Sequence, residues 1–245
     1  MNPVVRTLVP AAVATAVVTS ALAGLGTWQV RRLVWKTELI AMVDARTRAA
    51  PIEAPTATAA LSRDPAGFDY TPVTIEGRFV ASVEARVHAI LGAPRGRHGG
   101  VGTWSMAPLE RADGTIVWIN RGFVPVGRTG EAAPSGTVRI EGLMRRAEPR
   151  GSSPGDEPSK GQFFVRDPLV LAAAFGLEAA RVAPYTIDAG AGATPPSGLP
   201  QAGETRVSFE NRHLGYAITW YGLALAAIGV FAAFARQRLR DAPGA

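Results

Sequence analysis

Two uncharged apolar runs bracket the chain. Thr7 to Val30 and Leu214 to Ala235 contain no Asp, Glu, Lys or Arg. At about 1.5 Å per helical residue, each can cross a hydrocarbon core about 30 Å thick. The polar stretch between them, about 180 residues, is ample for one domain. The expected order is a transmembrane helix over 7–30, a helical extension and linker over 31–66, and a mainly antiparallel β domain over 67–212. A second transmembrane helix over 213–235 and a basic cytoplasmic tail over 236–245 complete it.

The first run has two readings. Arg6 upstream and Ala21-Leu22-Ala23 fit a cleaved signal peptide. An uncleaved anchor is favoured by the continuation of the run to Val30. It is also favoured by a small-residue stripe, Ala12, Ala16, Ser20 and Gly24, which lets a second helix approach closely. In the second run Gly215, Gly222 and Gly229 recur every seven residues and mark one face. The opposite face carries His213, Ala217, Trp220, Ala224 and Ala227. The glycine groove is expected to pack on the small stripe of the first helix. Pro10, within the first turns, costs little there.

Arg236, Arg238 and Arg240 follow the second run and place the C-terminus in the cytoplasm by the positive-inside rule, and with it the N-terminus. Arg31, Arg32 and Lys36 argue the other way, but a long translocated domain obeys that rule weakly. The central domain is then extracytoplasmic.

The chain has no cysteine, which excludes disulfides, thiol nucleophiles and thiolate metal sites. Its net charge of +6 comes from scattered arginines, with only Lys36 and Lys160 as lysines. No basic run is interleaved with aromatics, so nucleic acid is not an expected partner.

"RRLVWKTELIAMVDARTRAAP" has helical periodicity, and Trp28 and Trp35 suit an interface. "PIEAPTATAALSRDPAGFD" reads as irregular. Strands are expected over 70–80, 83–91, 102–109, 115–121, 137–145, 163–167, 184–188 and 205–210. Asp113-Gly114 forms the tip of a hairpin. "RGRHGG" and "PRGSSPGDEPSKG" read as loops. One helix is expected in "DPLVLAAAFGL", with Asp167 as N-cap, Pro168 in the first turn and Gly176 near its end. Many short strands with little helix predict a barrel or sandwich-like domain.

No P-loop, dinucleotide fingerprint, G-x-S-x-G or H-E-x-x-H is present, and no enzymatic activity is expected. His88 in a strand pattern reads as structural or surface, and His98 as a solvated loop residue. Arg121, closing a hydrophobic strand, pairs with a carboxylate or carbonyl, or else contacts an anionic partner such as a propionate. His213 and Trp220 admit two readings. Both residue types anchor helices at membrane interfaces. Seven residues apart, they are also rotated by only about 20° on a helix, a slot for a flat apolar ligand with a metal centre, such as a haem.

Three blocks, "GTWQVRRLVWK" (26–36), "VWINRGFVP" (117–125) and "HLGYAITWYGLA" (213–224), resemble in sequence, order and spacing the Surfeit locus protein 1 family, assembly factors of haem-copper terminal oxidases. The resemblance implies a multi-pass protein of the bacterial inner membrane. It would bind haem a transiently and present it to the catalytic subunit of the oxidase. The family's histidine and tryptophan match His213, as axial ligand of the haem iron, and Trp220. Its other motifs match Gly26, Trp28 and Gln29, and Arg121 and Gly122, with Tyr216 a further helper position in the third block. The implied partners are that subunit, the haem a synthesis machinery and the lipid bilayer. The alternative is a scaffold that stabilises the nascent subunit without ligating haem.

Overall fold

The structure, a computed structural model, describes residues 3–56, 65–148, 155–205 and 211–241. It divides into two compact units, Met1–Met42 with Ser208–Ala245, and Val43–Val207.

The first unit is helical. Helix α1 spans Pro3–Thr47 without a break, with Pro10 inside it, two turns from its start. The second apolar run forms the last helix, His213–Arg240, called α4 below after two short helices of the sheet unit. Both are long and apolar enough to cross a membrane.

The expected glycine groove is not where these helices meet. A Cβ placed on Gly215, Gly222, Gly229 or Gly24 would touch nothing within 4 Å. The covered face of α4 is the opposite one. Ala217 and Ala224 are buried, and His213, Trp220, Ala227, Phe231 and Phe234 are partly buried. Their alternating spacing of four and three residues is that of a left-handed helical seam. On α1, Ala16, Ser20 and Gly24 are exposed, whereas Gly26 and Gln29 are buried. Small residues at strict i, i+4 spacing drift around a helix of 3.6 residues per turn, so that stripe leaves the contact face within a few turns.

In the sheet unit, strands β1 (Ile52–Glu53), β2 (Pro72–Phe79), β3 (Ala85–Leu91), β4 (Gly100–Glu110), β5 (Ile116–Pro125), β6 (Thr137–Arg146), β7 (Gln162–Phe163) and β8 (Val182–Ala189) join in the order β1-β2-β6-β8-β5-β4-β3-β7. A further pairing, Arg78 with Glu110 and Phe79 with Leu109, joins β2 to β4 and closes the central strands into a barrel. Most pairings are antiparallel; β5–β8, β1–β2 and β3–β7 are parallel.

Strand β5 is buried almost throughout because its alternate residues enter two cores. Val117 and Ile119 point into the barrel with Val73, Ile75, Leu109, Met144 and Ile187. Ile116 and Trp118 join Val87, Met106, Phe163 and Leu171 outside it. That outer core is covered by α3 (Pro168–Ala174), which follows the short α2 (Pro65–Phe68) in chain order. Asp167 caps α3, accepting from the backbone N–H of Leu169 and Val170, and Gly176 takes φ +67° just beyond its end. The 110–116 hairpin turns at Gly114, φ +81°, with Thr115 N–H donating to Asp113 Oδ1.

Three expectations about strands are corrected. Of the 163–167 region only Phe163 joins the sheet, together with Gln162 before it, and Arg166 turns into an ionic network instead. Thr205 is not in a strand; its hydroxyl donates to Asp188, and residues 206–210 lie outside the described residues. Ile52–Glu53, in the stretch read as irregular, pairs with β2. Of the "PRGSSPGDEPSKG" loop, 149–154 lie outside the described residues, and Pro158–Lys160 forms a single 3₁₀ turn.

Candidate cofactor site on the helical unit

His213 is the first residue of α4, and Arg212 before it provides no side-chain cap. The ring is held from the other helix: its Nδ1 lies 2.7 Å from Oε1 of the buried Gln29. A carboxamide oxygen accepts and cannot donate, so Nδ1 is the donor in this contact, and in a neutral ring Nε2 is then the nitrogen with the lone pair. Trp220 lies seven residues on, with the small, buried Ala217 between the two.

The helices are keyed together beside this pair. The Tyr221 ring lies against Gly26, and Tyr221 Oη is 2.9 Å from Thr27 Oγ1. Asn211 donates to Thr37 Oγ1 at 3.3 Å. Trp28 and Tyr216 are exposed, each by just over half, and touch neither His213 nor Trp220 by hydrogen bond. The structure therefore brings Gln29 to His213 and leaves Trp28 and Tyr216 on outward faces. Tyr221 stood inside the third block without drawing notice; its signal is an aromatic hydroxyl near the start of a span, opposite a glycine.

Arg121 and Gly122 belong to the sheet unit, where their contacts are local. The β4–β5 register slips between Ser105 and Met106, so Arg121 is the extra residue of a β-bulge. Its buried guanidinium donates to Ala132 O at 3.0 Å, lies 4.0 Å from Glu84 and faces the Phe79 ring. Burial pulls the group below its ordinary pKa, against the charges of Glu84 and Glu131. Gly122 has φ +135°, and a Cβ there would lie 2.3 Å from the carbonyl carbon of Gln201. That contact is the close approach of a 199–205 strap, tied to Phe123 by two backbone hydrogen bonds.

The strap also organises "RGRHGG". Glu204, buried, accepts from the backbone N–H of Arg95 and Gly96, and Gln201 holds both the N–H and the carbonyl of His98. His98 thus sits in a loop, as expected, with its side chain partly exposed and its backbone anchored by the strap. His88 stacks on Phe164 with centroids 5.6 Å apart, a structural contact.

Sequence reasoning missed a buried polar cluster in the sheet unit. Asp188 is buried and accepts from Asn120, Arg145, Arg166 and Thr205. Arg145 continues to Asp69, and Arg166 to Glu148. Burial alone would raise the Asp188 pKa, but Arg166 and Arg145, with the Thr205 and Asn120 hydrogen bonds, bring it below the ordinary value. Burial likewise opposes the Arg166 charge, yet Asp188 and Glu148 hold its guanidinium above the ordinary range.

The model of the SURF1 family matches residues 16–225, taking in most of α1, the barrel and the first half of α4. The chain belongs to the SURF1 family. Among SURF1 relatives, the human Surfeit locus protein 1 is 33% identical over 238 residues, 90% of this chain and 75% of that protein. A SURF1-like protein of Monosiga brevicollis is 32% identical over 230 residues, covering 87% and 83%. The Xenopus tropicalis Surfeit locus protein 1 is 34% identical over 222 residues, covering 82% and 68%. The SURF1 match thus runs through both the Gln29–His213 contact and the Arg121–Gly122 bulge.

Proposed function

We propose that this chain is an assembly factor for a haem-copper terminal oxidase, taking up haem a and passing it to the catalytic subunit. The observation that carries the reading is the Gln29–His213 contact, which aims one protonated nitrogen at an acceptor and leaves the other as a metal donor. Among the described residues, no three His, Asp or Glu side chains gather into a metal cluster. His213 therefore offers an iron one donor, which suits a metal already ringed by a porphyrin. Haem a is cargo here; when bound, its iron would take Nε2 of His213. Trp220, on the same face, would pack on the macrocycle. Two helices able to cross a membrane, with Arg236, Arg238 and Arg240 after the second, support a bacterial inner-membrane location. Both termini are then cytoplasmic and the barrel periplasmic.

The test is pyridine haemochrome analysis of the full chain purified from a host that makes haem a. The wild type should carry haem a, and His213→Ala should lose most of it at unchanged expression. A colourless wild type would leave the scaffold role, in which the chain holds the nascent subunit without ligating haem. An unchanged spectrum in His213→Ala would move the ligand elsewhere.

A further inference from the structure

We infer that Gln29 is a positioning residue that fixes the tautomer of His213, so that the ligating nitrogen on α4 is selected from α1. The inference rests on the haem a reading above and adds a role for a residue that does not touch the cargo.

A neutral imidazole carries one proton, and only the nitrogen without it can bind a metal. Among the described residues, the ring's hydrogen-bond contact comes from α1, and the N-cap residue of α4 provides no side-chain cap. The decision comes from 184 residues earlier in the chain, through a 2.7 Å contact to a side chain that is 9% exposed. Gln29 is itself held in register. One turn before it on α1, Gly26 and Thr27 seat the ring and hydroxyl of Tyr221. With Nδ1–H committed to Gln29, Nε2 at the outer tip of the ring is the donor. The opposite tautomer would put the proton on Nε2, where the metal would sit, and leave a bare Nδ1 facing Gln29 Oε1, two acceptors with no proton between them.

The choice of an amide has a second consequence. A carboxylate accepting from a ligating histidine makes the imidazole more basic and binds the metal more firmly. A neutral carboxamide orients the ring without adding that charge. Gln29 thus combines a fixed geometry with a moderate grip, which is what cargo release needs.

The experiment uses the full chain in detergent, labelled with ¹⁵N-histidine and free of haem. With three histidines in the sequence, the His213 ring resonances are assigned by their loss in His213→Ala. The wild type should show the proton on Nδ1, and Gln29→Leu should show a mixture or the opposite tautomer. In haem-loaded protein, Gln29→Leu should weaken retention about tenfold or more. Gln29→Glu should slow transfer to apomyoglobin, a change that simple loss of packing does not produce. A wild-type His213 protonated on Nε2 would overturn the inference, as would a Gln29→Leu protein with unaltered tautomer and retention. His213→Ala with full haem absorbance would instead overturn the ligand reading, and the tautomer measurement on haem-free protein stands apart from it.

Discussion

The ring of Tyr221 rests on Gly26: a Cβ added to that glycine would lie 3.0 Å from Cε1 and Cζ. This, and not the heptad of glycines on α4, is the close approach between the two long helices. Gly26→Leu should therefore disturb helix pairing by about 1–3 kcal/mol, the usual cost of overpacking. Gly222→Leu, facing open space, should leave the pair intact. Thermal unfolding in detergent and steady-state levels in membranes measure both. Damage from Gly222→Leu with none from Gly26→Leu would restore the glycine groove as the contact.

Gly122 should tolerate no side chain. Its φ of +135° is costly for any L residue, by about 1–3 kcal/mol. The added methyl would also collide with the Gln201 carbonyl, at 2.3 Å. Gly122→Ala should thus detach the 199–205 strap and lower the melting temperature of the barrel, at about 2–4 °C per kcal/mol. Hydrogen exchange at the Phe123 and Gln201 amides, which bond each other's carbonyls, should rise first. Protected amides in a fully stable variant would contradict this account.

What was legible in the sequence had local causes. Asp167-Pro168 announces a helix start because capping acts within one turn, and Asp113-Gly114 announces a hairpin because φ > 0 favours glycine. The two long helices follow from hydropathy alone. What was not legible joins distant segments. Strand β5 reads as a buried run, but that its alternate residues serve two cores depends on α3 folding over one face. Asp188, Arg145 and Arg166 are ordinary charged residues until β6 and β8 pair. At the candidate site, His213 stood out as a histidine opening an apolar run. Its union with Gln29 needed the register of two helices, which periodicity misassigned to the glycine face.

Arg121→Met should keep the fold. The guanidinium has one hydrogen bond, to Ala132 O, and a loose 4.0 Å approach to Glu84, so little pairing is lost. Methionine keeps the packing against Phe79 and removes a buried charge, an exchange that is often neutral. The lost hydrogen bond costs about 1 kcal/mol, a shift of about 2–4 °C. Arg121→Ala should be worse, since it also empties the space beneath Phe79. A melting temperature as low for the methionine variant as for the alanine one would show that the charge itself holds the bulge.

Asp188 sets the acid limit of the barrel. Its folded pKa lies below the ordinary value, so near pH 4 the unfolded chain binds the proton that the folded one refuses. The stabilisation is therefore complete above the unfolded carboxylate value, about 3.9, and is lost as pH falls through that value toward the folded one. Asp188→Asn removes the anion between Arg145 and Arg166 and leaves two largely buried cations facing each other across an amide. Removing one member of such a buried pair costs about 3–5 kcal/mol. The variant should melt well below wild type at pH 7, and the gap should narrow as both are acidified below about pH 4. Melting curves across pH 3–7 check the sign: a gap that widens on acidification would mean the carboxyl is protonated in the folded barrel.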